Sequence, residues 1–184
     1  MATAENAKKK YTYNDYLKIP DDLRYQLIEG QLIMMTPAPT TVHQKILREI
    51  GFILKKYTSE HNNGEIFYAP CDVVLDNENV LQPDIIFISK EKIHLITKKN
   101  IQGAPDLVIE IISENTAYYD MIQKKQLYAK FGIIEYWIVI PEECSIELYT
   151  LIESRYELRT KYQKNDNLTS TFFPSLEIPL HQIF

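Results

Sequence analysis

Along the chain the apolar residues change their period from segment to segment, and the changes predict short helices, long helices and strands. Thr12-Tyr13-Asn14-Asp15 reads as a capping box opening a short helix that stops before Pro20. Tyr25 to Ile28 and Leu32 to Met35 are β-favouring runs on either side of Glu29-Gly30-Gln31, which predicts a hairpin. Pro37 and Pro39 impose a loop after it. From Thr41, the residues Ile46, Leu47, Ile50, Ile53, Leu54 and Tyr57 recur at helical spacing, so one face of a long helix packs on a core until Asn62-Asn63-Gly64 ends it.

Strands are then expected over Ile66 to Leu75, Asp84 to Ile88 and Leu107 to Ile112, with the polar turn Asp76-Asn77-Glu78-Asn79 between the first two and a lysine-rich loop or short helix between the last two. Thr116 is placed to cap a second long helix to Phe131, with Gly132 ending it in the left-handed conformation. Tyr136 to Ile140 reads as a buried strand. Ser145 to Leu151 and Tyr156 to Tyr162 alternate as a hairpin does, and the tail returns through Leu176-Glu177-Ile178. No internal repeat or low-complexity stretch interrupts this order. The pattern predicts an α/β (α+β) fold, a mixed β-sheet flanked by two long helices, in a single domain over residues 11–184 behind a disordered tail over residues 1–10.

Composition narrows the function classes. The 184 residues are 45% hydrophobic and 24% charged, an ordinary globular balance for one domain. Twenty Lys and Arg against 25 Asp and Glu leave a formal charge of −5, so no global positive field draws the protein to nucleic acid, and a polyanion must be gripped locally. Cys71 and Cys144 form neither a disulfide framework nor a metal signature, which fits a reducing cytoplasm. The N-terminus lacks an apolar signal region and no segment approaches the roughly 18 apolar residues of a membrane span, so neither export nor insertion is expected.

The chemistry concentrates in Asp106-Leu107-Val108-Ile109-Glu110-Ile111-Ile112, where Glu110 interrupts five aliphatic residues with no polar alternation. Burying an unpaired carboxylate costs several kcal/mol, so Glu110 needs a cation, a metal or a proton, unless it lies at the exposed end of its strand or pairs with an arginine. Gln82-Pro83-Asp84 leads straight into Ile85-Ile86-Phe87-Ile88, and neighbouring strands would bring Asp84 and Glu110 together. Two close carboxylates repel unless a divalent ion lies between them, and with waters and a main-chain carbonyl they suit the oxygen shell of Mg²⁺; the alternative is an Asp that caps a turn. On the second long helix, Leu127, Tyr128 and Phe131 define the inner face. Lys124 falls within roughly 10° of its centre and Lys125 about 110° away. Lys124 therefore snorkels to the rim, pairs with Asp120 one turn earlier, or meets the carboxylates. His43 lies on the inner face of the first long helix, as a core or capping histidine or as a second-shell or phosphate contact.

An Asp at a strand start, a Glu in the next apolar strand and an inward Lys resemble the PD-(D/E)XK nuclease superfamily, the restriction-endonuclease-like fold, with Pro83-Asp84 as its first motif and Glu110 as its acid. One branch moves the lysine to the following helix, and there the sequence resembles the Uma-two family of restriction-endonuclease-like proteins. The matching stretches are Arg24 to Gly30, His43-Gln44, Gln82 to Ile85, Gly103 to Glu110, Lys124 through Leu127-Tyr128, and Gly132 through Glu135-Tyr136-Trp137. The resemblance implies Asp84, Glu110 and Lys124 as catalytic residues. It implies Asp84, Glu110 and the Ile111 carbonyl as ligands for Mg²⁺ or Mn²⁺, with His43, Gln26, Gln82 and Asp120 as a surrounding shell.

Three departures are visible. Ile112 replaces the usual lysine, Gln26 stands where the family usually has Glu, and Ser113-Glu114 replaces Ser-Pro. The expected activity is metal-dependent hydrolysis of DNA phosphodiesters, with Lys90, Lys92, Lys98 and Lys99 as local backbone contacts. The alternative is a degenerate member of the fold that binds nucleic acid or assembles without cutting. DNA is the expected partner, no membrane is, and a homodimer is left open.

Overall fold

The computed structural model describes residues 9–20, 23–35, 38–112 and 117–184, with residues 117–120 as backbone only. Residues 1–8 of the expected tail, the Thr116 cap and Ser113-Glu114 lie outside the described residues. Lys10 reaches Glu78 at 2.9 Å, and the Tyr11 N–H donates to the Gly30 carbonyl.

Helix α1 (Tyr13–Tyr16) opens on the capping box: the Asp15 carboxylate accepts from the Thr12 N–H at 3.0 Å while the Thr12 hydroxyl accepts from the Asp15 N–H. Strands β1 (Tyr25–Ile28) and β2 (Gln31–Met34) form the hairpin. Glu29 and Gly30 take φ of 51° and 77°, and two consecutive left-handed residues make the tight turn that matches strand twist. Helix α2 (Thr41–His61) is capped by the Thr40 hydroxyl and ends at Asn62, φ 49°. A Cβ on Gly51 in the middle of α2 would run into the Tyr68 ring, which packs against the helix there, so any larger residue has to displace that ring.

The strand expected over Ile66 to Leu75 is two strands in different sheets, β3 (Gly64–Tyr68) and β4 (Val73–Asp76). Pro70 between them has no N–H to continue a ladder. The polar turn beyond β4 is tighter than expected, and it returns directly into a strand that periodicity cannot register in three residues, β5 (Asn79–Leu81). Strand β6 (Ile85–Ser89) follows. The lysine-rich segment forms a 3-10 turn (Lys90–Leu95) and a two-residue strand, β7 (Ile101–Gln102). Then come β8 (Leu107–Ile111), α3 (Ala117–Lys130) and β9 (Glu135–Ile140). The hairpin β10 (Ser145–Ile152) and β11 (Arg155–Gln163) and the short pair β12 (Asn167–Leu168) and β13 (Ile178–Pro179) complete the order. Gly132, φ 78°, ends α3 as expected.

The main sheet runs β11-β10-β9-β8-β6-β3. It is antiparallel except for β8 and β9, which α3 joins as a crossover. The second sheet runs β2-β1-β5-β4-β7. Alternation in β8 assigns its faces: Leu107, Ile109 and Ile111 pack with Ile46, Ile50 and Leu54 of α2, and Val108 packs with Leu127 and Tyr128 of α3. The fold is therefore the expected α+β mixed sheet between two long helices, with a second sheet built on the hairpins. Both cysteines are free, and among the described residues no helix is long and apolar enough to cross a membrane.

Candidate active site

Glu110 shares its strand face with Val108, so its side chain turns toward α3, and it is buried. Its Oε1 accepts from Tyr128 OH at 2.7 Å and from Lys124 Nζ at 3.0 Å. These donors sit one helical turn apart on the inner face of α3. Lys124 keeps only 12% of its side chain exposed, so it meets the carboxylate and does not snorkel away. Lys125 leaves that face and lies 3.4 Å above the Tyr149 ring. The side chain of Asp120, the other expected partner of Lys124, lies outside the described residues.

Pro83 brings the chain into β6, where Ile85 pairs with Ile109 in antiparallel register, and Asp84 consequently arrives beside Glu110 and Ile111. Asp84 Oδ2 accepts from the Ile111 N–H at 2.8 Å and meets His43 Nε2 at 3.2 Å. His43 stands in the first turn of α2, where its own N–H donates to the Thr40 hydroxyl. Two layers of the fold and two strands thus converge on one end of the sheet. Among the described residues no hydrogen bond reaches Asp84 Oδ1 or Glu110 Oε2. Among the described residues no group of three or more His, Cys, Asp or Glu side chains is arranged so that it could hold a metal ion.

Burial pushes the Glu110 carboxyl above the ordinary carboxylate range; Lys124 opposes this and the Asp84 charge adds to it. Burial works against the charged form of His43, but the Asp84 hydrogen bond and charge, with the Glu110 charge and the Ile111 backbone, outweigh it and raise its pKa. Burial and the Glu110 charge hold the Tyr128 phenol well above its ordinary value, so it stays a donor.

The other expected residues divide. Gln26 is buried on the strand face it shares with Ile28, and its Oε1 accepts from the Gln82 N–H at 3.3 Å. The Gln82 side chain turns toward the residues that lead into β4 and β1, donating to Asp72 Oδ1 at 2.8 Å and accepting from Arg24 at 2.9 Å. Ile112, at the position of the usual lysine, packs against the apolar cluster of α3. Lys90 and Lys92 follow Ser89, at the other end of β6 from Asp84, and Lys92 is tied to Asp106 at 3.1 Å. Sequence reasoning placed Tyr128 in the core without seeing its hydroxyl on Glu110. The signal was available, because Lys124 and Tyr128 are four residues apart on the same helical face. It also missed the Tyr136 hydroxyl, which is buried and has no hydrogen-bond partner among the described residues.

A mixed sheet with a Pro-Asp strand entrance, a buried Glu on the next strand and a lysine from the crossover helix defines a restriction-endonuclease-like protein. The chain belongs to the Uma2 family, described as "Putative restriction endonuclease", which matches residues 13–181. Its fold is also that of the crystal structure of "a putative nuclease belonging to DUF820" from Anabaena variabilis. That protein is 20% identical, has a TM-score of 0.77, and the match covers 94% of this chain and 97% of that one. No curated protein sequence matches the chain at a significant level.

Proposed function

We propose that the protein is a divalent-metal-dependent endonuclease that hydrolyses phosphodiester bonds of DNA, with Asp84, Glu110 and Lys124 as its catalytic residues. The observation that carries this reading is the convergence of Asp84 and Glu110, each with one carboxylate oxygen bonded to protein and the other without a hydrogen bond among the described residues. An all-oxygen donor set of two carboxylates and the Ile111 carbonyl fits a hard cation such as Mg²⁺ or Mn²⁺, and a softer metal has no sulfur here to prefer. When bound, such an ion supplies Lewis acidity toward a phosphoryl oxygen and a water.

The chain's own groups divide the remaining work. His43 and the Ile111 N–H fix Asp84 by its Oδ2, which leaves Oδ1 for the ion. Tyr128 fixes Glu110 in the same way. Lys124, held at the edge of the site by Glu110, orients the attacking water or stabilises charge on the phosphoryl oxygens as the water oxygen bonds to phosphorus and the P–O ester bond breaks.

One observation favours a second reading, a degenerate member of the fold that binds without cutting: Glu110 and Lys124 already form a buried ion pair at 3.0 Å. Cleavage of supercoiled and linear DNA across several divalent ions, with Asp84→Asn as control, decides between them. Metal-dependent cutting lost in Asp84→Asn supports the nuclease. Absence of cutting, together with no heat from Mg²⁺ or Mn²⁺ titration attributable to Asp84 and Glu110, supports the second reading.

A further inference from the structure

At the end of the main sheet opposite the carboxylates lies a groove of about 610 Å³ that the proposed chemistry does not use. Its walls come from the end of α2 (Asn63), the end of β6 and its 3-10 turn (Ser89, Lys90, Lys92) and the C-terminal segment (Phe172, Pro174). About five residues of β6 separate it from Asp84, roughly 15 Å at strand rise.

Three features of the groove bear on what it takes. The Phe172 ring is half-buried and held in place: it tilts against Phe87 at 5.6 Å, and its backbone carbonyl accepts from Asn63 Nδ2 at 3.2 Å. Lys90 is exposed, and among the described residues its ammonium has no partner. Of the two acids in the lining, Asp106 is already satisfied by Lys92 at 3.1 Å and the Ser89 N–H at 2.7 Å and adds little repulsion, while Glu91 is exposed beside Lys90. Beyond Lys90 the charge persists. Residues 90–99 hold four lysines against one glutamate, a formal +3, in a chain whose total is −5.

We infer that this groove is a second contact for single-stranded nucleic acid, in which Phe172 stacks on one unpaired base and Lys90 takes an adjacent phosphate. A fixed aromatic ring beside one exposed ammonium is an arrangement that can hold a strand without reading its sequence, although the lining as a whole, with Lys90 and Lys92 against Glu91 and Asp106, is formally neutral. A duplex keeps its bases stacked on one another and offers the ring nothing. The inference rests on the nucleic-acid reading of the site above and deepens it, giving the protein a grip on substrate that the acidic site cannot supply.

The test is fluorescence anisotropy of a labelled strand roughly 12 nucleotides long, titrated with the full chain in chelator so that no cleavage intervenes. DNA and RNA versions share the phosphate and base chemistry, and binding of either supports the groove. Phe172→Leu should lose about fivefold or more in affinity. Lys90→Ala should weaken binding and lower the slope of log affinity against log salt by about 0.7, the share of one phosphate contact, while Lys18→Ala leaves both unchanged. Should Phe172→Leu loosen the core, the exposed Lys90 still carries the test. Wild-type affinity in both groove variants overturns the groove and leaves the nuclease reading standing. A wild-type chain that binds neither strand overturns the groove, and the nuclease reading then stands or falls on the cleavage assay alone. Preference for the duplex over the single strand overturns the stacking role.

Discussion

Glu110 and Glu135 stand on adjacent parallel strands, both buried in the same sheet, and their surroundings differ in kind. Glu135, at the start of β9, has no measurable exposure and no cation. Its Oε1 accepts from Trp137 Nε1 at 2.7 Å and Ser170 Oγ at 2.6 Å, and its Oε2 from Thr171 Oγ1 at 3.0 Å. Both oxygens are used, and the three donors tie the C-terminal segment to the sheet. Glu110, near the end of β8, spends Oε1 on Lys124 and Tyr128, and among the described residues its Oε2 has no hydrogen-bond partner, beside a second carboxylate. A carboxylate completed by neutral donors is architecture. One left half-satisfied next to a like charge is poised for something the chain does not itself provide.

The sharpest way to break this comparison is to neutralise both residues in turn. Glu135→Gln places an amide N–H₂ against at least one hydroxyl donor and removes the charge from three hydrogen bonds. Each is worth roughly 1.5–3 kcal/mol when the acceptor is ionised, so a loss of about 4 kcal/mol is expected, on the order of 10 °C in melting temperature. Thermal and urea denaturation measure it. Glu110→Gln in metal-free buffer should stay within about 1 kcal/mol of wild type, because the amide oxygen still accepts from Tyr128 and Lys124 while the repulsion with Asp84 disappears. Equal losses at the two sites would mean that burial alone, and not completeness of bonding, sets their roles.

Sequence patterning carried the two long helices, the capping box, the first hairpin and the strand bearing Glu110, because each spans enough residues for a period to show or carries a turn residue with its own signature. It lost β5 and β7, which are too short to have a period and exist because neighbours pair with them. The site was legible where chemistry contradicted burial: a Glu among aliphatic residues, an Asp at a strand entrance, a Lys on an inner helical face. Glu135 opens the run Glu135-Tyr136-Trp137 and reads as a polar residue at a strand start. Its donors Ser170 and Thr171 come from 35 residues away, and no local pattern could announce them. Gln82 shows the same limit: its place next to Pro83-Asp84 suggested the site, but its amide is drawn to Asp72, the residue before β4.

The lysines of α3 sharpen the comparison from the other side, since adjacent positions separate a residue on Glu110 from one that is not. Lys124→Ala should lose on the order of 10²-fold or more in turnover with little change in DNA affinity, the scale of removing one preorganised electrostatic donor. Lys125, held over Tyr149 with its pKa lowered by burial, should keep turnover as Lys125→Ala and at most weaken binding in a salt-dependent way. Equal losses from the two variants in single-turnover assays would defeat the assignment of Lys124.

Added Mg²⁺ gives a smaller effect with the same logic. A cation held by Asp84 and Glu110 binds the folded chain alone and raises its melting temperature by mass action, a few degrees at saturating concentration. Glu110→Gln should abolish that rise. Glu135→Gln should retain it in full from a lower baseline, and a scan with and without Mg²⁺ reads both.

The smallest expected effect is a pH dependence, and its sign follows from the direction in which Glu110 is shifted. Burial and the Asp84 charge hold its carboxyl above the ordinary range despite Lys124, so ionisation costs more in the fold than in the unfolded chain. Below the unfolded value both states carry the proton, and the shift costs nothing. As pH rises from that value through the raised folded one, the unfolded chain releases its proton first, and the native state loses stability relative to it. Glu110→Gln cannot titrate there. In metal-free buffer the melting temperature of Glu110→Gln relative to wild type should therefore climb as pH rises above about 4, the ordinary Glu pKa being near 4.3, and level off once pH has passed the raised folded value. Shared groups that do not feel the Glu110 charge cancel in the difference of paired thermal scans, and His43, whose pKa that charge helps to raise, is the neighbour that does not. A difference that stays flat, or that falls with rising pH, would make Glu110 the ionised half of a structural salt bridge with Lys124, satisfied in the way Glu135 is, and the contrast between the two glutamates would be lost.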